Sequence, residues 1–205
     1  FARRIADPSN EENLLYLHGP PGSGKTHLLK AIACTLGGSR PAPYLSCAEP
    51  FTVEDLTTRF ADAPALVVDD LHLLPDDAGL RTGLWQVFND FHDVGRKVAM
   101  AGLHPPRELP HLDDHLVSRL LWGLVTRVDA SDDQSRRMIL KKIADDRQVR
   151  VPDEVVEYIL VTAGREVNEL IGSFDAVYRL SMAEKRRITL PLAREARHHL
   201  DGVIP

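Results

Sequence analysis

The sequence has little cysteine, no long apolar run and no excess of positive charge. Its two cysteines, Cys34 and Cys47, are too few for a disulfide framework and fit a reducing cytoplasmic compartment. No run of about 18 apolar residues occurs, which excludes a transmembrane helix and a membrane role. No secretory signal is visible, although Phe1 is not a natural start and an N-terminal stretch is expected to precede it. Lys and Arg number 25 against 30 Asp and Glu, a formal net charge of -5, so the chain is not a globally basic nucleic-acid binder. Internal repeats and low-complexity stretches are also missing. What is present is 43% hydrophobic and 27% charged, the balance of a globular protein, and 205 residues can bury a core without staples.

Strand and helix patterns alternate to about residue 128, and only helical patterns follow. That shift predicts an α/β domain over 1–128 and a small all-α domain over 129–205. Apolar runs at Leu14–Leu17, Tyr44–Cys47, Ala65–Val68, Val98–Ala101 and Leu124–Val128 read as strands. The unbroken run at Ala65–Val68 suits a parallel strand covered on both faces. A helix is predicted from Lys25 to Leu36, stopped by Gly37 and Gly38, and another from Leu80 to Val94 with Leu84, Val87, Phe88 and Phe91 on one face. In the second part, Ser131 with Gln134 fits a capping box, Pro152 can open a helix, and Leu190–Leu200 reads as the last one. Val167, Leu170, Ile171, Phe174, Val177 and Tyr178 follow the spacing of an amphipathic helix.

The strongest chemical signal is Gly19-Pro20-Pro21-Gly22-Ser23-Gly24-Lys25-Thr26, a match to G-x-x-x-x-G-K-[ST] between an apolar strand and an amphipathic helix. Glycines let backbone N–H groups turn around phosphate oxygens, Lys25 puts a point charge on the β- and γ-phosphates, and the Thr26 hydroxyl can ligate Mg²⁺. The helix start, running on through His27, adds unpaired N–H groups and a positive dipole end. The second half of such a site is an acid at the end of another buried strand. Asp69 is the candidate for holding Mg²⁺, and Asp70 for polarising an attacking water.

Together with this loop and acid pair, Ser118-Arg119-Leu120-Leu121-Trp122-Gly123-Leu124 resembles the AAA+ ATPase module of the bacterial replication initiator DnaA and its shorter relative Hda. Ala101–Leu109 resembles the family's segment after strand four, and Glu166–Gly172 its lid-helix motif. The resemblance spans nearly the whole chain. It implies a parallel sheet flanked by helices with a helical lid, ATP or ADP with Mg²⁺ as ligands, and Arg119 as the arginine finger that reaches a neighbouring subunit's nucleotide. It also implies departures. The γ-phosphate-sensing string reads Ala101, Gly102, Leu103 and His104 here, and Leu103 cannot hydrogen-bond through its side chain. Asn168 stands where the lid motif carries a phosphate-contacting arginine, so the charge a phosphoryl transition state needs is lost. Binding with weak or absent turnover follows.

The sequence ends after the lid helices, so a DNA-binding domain is not expected, and the stretch from Cys47 to Ala65 is short and acidic through Glu49, Glu54, Asp55 and Asp62, a poor surface for direct DNA binding. The balance resembles Hda, which implies a DnaA-type initiator as partner. A sliding clamp is a further partner, through an N-terminal motif not seen in these residues, and a homo-oligomer is possible. Two alternatives stay open: a DNA-binding AAA+ initiator core or helicase loader, and a small P-loop kinase. A metal site at His111 and His115 is disfavoured for want of further ligands. Trp85 and Trp122 are expected in the core rather than as partner anchors, with either role open for Trp122 beside Arg119. The basic pairs Arg136-Arg137 and Lys141-Lys142 are expected on solvated faces.

Overall fold

The computed structural model describes residues 2–7, 10–129 and 132–201. Two compact units divide between Val128 and Asp129.

The first unit holds five strands: β1 (Leu14–His18), β2 (Tyr44–Ser46), β3 (Ala65–Asp69), β4 (Lys97–Gly102) and β5 (Leu124–Arg127). All pair in parallel, in the order β2-β3-β4-β1-β5. Successive side chains of a strand point to opposite faces, and both faces of this sheet are covered. Tyr16, Leu66, Val68, Val98 and Met100 point to one side, where they meet Leu56 and Phe60 of α3 (Val53–Phe60), Leu84, Val87, Phe88 and Phe91 of α4 (Ala78–Asp93), and Leu116 and Leu120 of α5 (Asp114–Leu120). Leu15, Leu17, Val67, Ala99 and Ala101 point to the other, against Ile5 of α1 (Ala2–Ala6) and Leu29, Ile32 and Ala33 of α2 (Lys25–Gly37). Two-sided burial is why these strands read as continuous apolar runs rather than alternating ones. At the sheet's starting edge, buried Lys97 is satisfied by the carbonyls of Asn10 (2.6 Å) and Glu12 (2.8 Å).

Helices α3 and α5 have no counterpart among the elements predicted above. Helix α3 lies in the acidic stretch: Thr52 and Asp55 form a capping box at its start, and only Leu56 and Phe60 are buried. Glu49, Glu54, Asp55 and Asp62 are exposed there.

The second unit is four helices, α6 (Asp133–Asp146), α7 (Asp153–Thr162), α8 (Val167–Glu184) and α9 (Leu190–Asp201), around a core that includes Leu140, Val155, Ile159, Leu170, Phe174, Val177 and Leu192. Ser131 lies outside the described residues. Helix α6 is capped instead by Asp132, whose carboxylate accepts from the Ser135 amide at 2.8 Å. Arg136 departs from the solvated role expected of it. It is 4% exposed, and its guanidinium donates to the carbonyls of Leu160 (3.2 Å) and Gly164 (2.7 Å), satisfying groups that the end of α7 leaves open. Among the described residues no helix is long and apolar enough to cross a membrane.

Candidate functional site

The loop Gly19–Thr26 leaves the carboxyl end of β1, between β4 and β5, and turns into α2. Ligands of open parallel sheets bind at such ends. Two glycines are required by geometry. Gly19 has φ 148°, and a Cβ there would stand 2.1 Å from the Val128 carbonyl oxygen. Gly24, the residue before α2, has φ 97°, and nothing lies within 4 Å of where its Cβ would be. The space over Gly24 is thus open, and no side chain caps the first turn of α2. The first-turn amide groups thus have no side-chain cap, the arrangement that takes a phosphate.

Lys25 is buried, and its Nζ donates to the Gly19 carbonyl (2.7 Å) and the Pro20 carbonyl (2.8 Å), with Ser23 Oγ at 3.5 Å. Burial holds its pKa below the ordinary lysine value, and the carboxylates of Asp69 and Asp70 work against that shift. Thr26 and His27 follow in the first turn of α2. The Thr26 hydroxyl donates to Asp69 Oδ2 at 2.7 Å, so the two expected Mg²⁺ ligands are brought together. Asp69 ends β3 fully buried. It also accepts from the Tyr44 hydroxyl (2.8 Å) and, through Oδ1, from the Asp70 amide (2.8 Å). Asp70 adopts a left-handed backbone, φ 54° and ψ 38°, and accepts from Ser46 Oγ at 2.8 Å. Tyr44 and Ser46 were not singled out from the sequence. Their place follows from the pairing of β2 with β3, which sets Ser46 beside Asp69.

Leu103 follows β4. It carries no polar side chain into the site, but its carbonyl accepts from the Gly19 amide at 3.3 Å and ties the loop to the neighbouring strand end. The Tyr16 hydroxyl donates to the His104 carbonyl at 2.7 Å. Beside the loop is an open cavity of about 410 Å³ lined by His18, Pro21, Leu103, His104, Glu108 and Arg127. Burial, reinforced by Arg127, holds the His18 pKa below the ordinary histidine value. In the second unit Asn168 is exposed in the first turn of α8. Among the described residues, no group of three or more His, Cys, Asp or Glu side chains forms a metal cluster.

Arg119 lies in the last turn of α5. Its guanidinium carbon is 5.4 Å from the Trp85 ring centre and 5.1 Å from that of Trp122, and Nη1 lies 3.1 Å from His92 Nδ1. Trp122 is not a core residue: it is 67% exposed. Trp85 packs at the edge of the core, with His115 against its ring.

A phosphate loop after β1, an acid pair closing β3 and a parallel sheet of this order, followed by four helices, define a P-loop module of the AAA+ class. The chain belongs to the bacterial DnaA ATPase-domain family, whose model matches residues 1–127. The model of the Hda lid domain matches residues 133–196. The chromosomal replication initiator protein DnaA of Limosilactobacillus fermentum is 28% identical over 210 residues, covering 96% of this chain. This chain spans 47% of that relative's length. Domain III of the Thermotoga maritima replication initiation protein DnaA superposes with a TM-score of 0.71 at 23% identity, over 95% of this chain and 87% of that one. AMPPCP-bound DnaA from Aquifex aeolicus gives a TM-score of 0.65 at 20% identity, over 86% and 58%.

Proposed function

We propose that this chain binds ATP or ADP with Mg²⁺ at Gly19–Thr26, turns it over slowly or not at all, and regulates chromosomal replication initiation by docking on a DnaA-type initiator. The observation that carries this reading is the contrast at one site. The binding half is complete, with the cradle over Gly24, Lys25 in the loop and Thr26 on Asp69. The sensing position after β4 is an aliphatic side chain, Leu103. Adenine-nucleotide binding is supported further by the AMPPCP carried by the Aquifex aeolicus relative, and an Hda-like role by the match over residues 133–196.

The groups divide as follows. Lys25 and the amides at the start of α2 hold the phosphates, with His27 on the same turn. Thr26 and Asp69 hold Mg²⁺, which when bound neutralises charge between the phosphates. Asp70 is the base position, held by Ser46. Asn168, at the position where the lid motif of the family carries a phosphate-contacting arginine, is a neutral amide without the charge that favours phosphoryl transfer. Arg119 acts outside its own site, entering the initiator's site to stabilise charge on the transferring γ-phosphoryl. Fingers of this kind contribute about 10³–10⁵ in rate. Nucleotide in this chain's own loop sets whether the docking face forms. A sliding clamp on DNA presents the complex, and the acidic surface around α3 argues against direct DNA contact.

The test is hydrolysis of initiator-bound ATP, with a sliding clamp loaded on DNA, by the wild-type chain and Arg119→Ala, beside a pull-down. Stimulation by the wild type only, with complex formation by both, is the expected result. Equal stimulation removes Arg119 from the mechanism, and no stimulation by either favours a DNA-binding loader.

A further inference from the structure

An arginine that works in a neighbour's site has to wait on its own surface without being neutralised. The surroundings of Arg119 are unusual in this respect. An ion pair between exposed side chains contributes little. Arg119 does pair with one carboxylate, the exposed Asp93, but at Nη1 to Oδ1 3.7 Å that ion pair is longer than a hydrogen bond. The closer contact is His92 Nδ1 at 3.1 Å. A guanidinium has donors only, so His92 Nδ1 accepts from it in the tautomer that leaves Nδ1 unprotonated; the same nitrogen lies 3.4 Å from Asp93 Oδ1. Aromatic faces do the rest. The guanidinium sits near both tryptophan rings, and the side chain is 26% exposed.

These partners are themselves held. Trp85, Phe88 and His92 lie along one face of α4 at spacings of three and four residues. Trp85 stacks on Phe88 with ring centres 6.4 Å apart and planes 5° from parallel, and Phe88 stacks on His92 at 5.8 Å and 17°. Phe88 is fully buried in the sheet core, so the ladder is anchored from below. His92 then meets Trp122 at 6.1 Å. Trp122, just past α5, completes the far side of the clamp while remaining mostly in solvent.

We propose that Trp85, His92 and Trp122 are positioning residues that hold the Arg119 guanidinium ready for phosphoryl recognition, with Asp93 only a long, exposed ion-pair partner. This rests on the reading of Arg119 as a finger. A carboxylate in their place would compete with the phosphoryl oxygens for the same N–H groups. Ring faces and one imidazole nitrogen leave most of those donors available and keep the planar fork oriented. A purely packing role for Trp122 would bury its ring, which the structure does not do.

Two measurements test the clamp separately from the finger. The chain has two tryptophans, Trp85 and Trp122, and both flank Arg119. Tryptophan emission of the isolated chain therefore reads the clamp without any partner. Arg119→Leu is expected to change its intensity or wavelength while the far-ultraviolet circular dichroism is unchanged; identical emission overturns the clamp. In the initiator-hydrolysis assay, Trp122→Leu is expected to lower the maximal stimulated rate about tenfold or more, since misplacing a reacting group costs up to about 10²-fold. Its half-saturating concentration should be unchanged, and Trp122→Phe should restore most of the rate. An unchanged maximal rate, or a rise in half-saturating concentration alone, overturns the positioning role in favour of none or of a docking contact. Full stimulation by Arg119→Leu overturns the finger reading itself. Loss with Arg119→Leu beside full activity of Trp122→Leu overturns the clamp alone.

Discussion

The Thr26 hydroxyl donates to Asp69 Oδ2 across 2.7 Å, linking the first turn of α2 to the end of β3. Asp69 has no solvent contact, and its remaining bonds come from the Tyr44 hydroxyl and the Asp70 amide. Its carboxylate is thus fixed before any ligand arrives. Thr26→Val keeps the shape and removes the hydroxyl. The expected outcome is a loss of about tenfold or more in affinity for Mg²⁺–ATP, about 1.4 kcal/mol, with a smaller loss for ATP measured in EDTA. Calorimetry under both conditions checks it. An equal loss in both would place Thr26 on the phosphates rather than on the metal.

Lys25 donates to two carbonyls of its own loop, at Gly19 and Pro20. Phosphate oxygens, being anionic, are better acceptors than these carbonyls. Lys25→Ala is expected to weaken nucleotide binding by at least tenfold, about 1.4 kcal/mol. The difference is readable as heat stability. A ligand at 100 times its Kd stabilises the folded state by about 2.7 kcal/mol. At a fixed nucleotide concentration the wild type should therefore show the larger rise in melting temperature. Identical rises would take Lys25 out of the site.

Contiguous signals were legible in the sequence, and contacts between distant segments were not. Strands β1, β3 and β4 are unbroken apolar runs because both faces of the sheet are covered. The phosphate loop is eight consecutive residues whose types state their chemistry. Helix α3 was missed because only Leu56 and Phe60 of its eight residues are buried, too few to show a period. Tyr44 and Ser46 could be placed on the acid pair only through the β2–β3 register. By type Trp122 leaves core and contact roles both open, and its exposure beside Arg119 depends on α4 and α5 meeting. Arg136 looked like half of a solvated basic pair, yet the end of α7 recruits it.

Arg136 gives a test confined to the helical unit. Its guanidinium satisfies the carbonyls of Leu160 and Gly164 from a buried position. Removing it leaves those acceptors without a donor, and a hydrogen bond to a charged group contributes about 1.5–3 kcal/mol. Arg136→Ala is expected to destabilise the chain by about 2–3 kcal/mol in urea titration, whereas Arg137→Ala, whose partner Glu157 is exposed, should change it by less than about 1 kcal/mol. Similar midpoints for the two variants would refute the capping role.

The last expectation concerns acid. His18 and His72 are both held below the ordinary histidine pKa, chiefly by burial. For His18 the nearby Arg127 adds to the shift; for His72 the Asp70 carboxylate opposes it. His72 Nδ1 is buried without a hydrogen-bond partner among the described residues. The folded state therefore favours both rings neutral, while in the unfolded chain a histidine takes its proton near pH 6.5. With folded values depressed, the unfolded chain binds more protons as the pH drops below about 6.5. The associated stability is present above that pH and is lost progressively as the pH falls toward the folded values. Wild type should thus unfold at lower urea at pH 5.5 than at pH 7.5. His18→Gln with His72→Gln removes both titrations, and the difference between the two pH values should shrink. An undiminished pH difference in the double variant would show that these two rings do not carry the acid sensitivity.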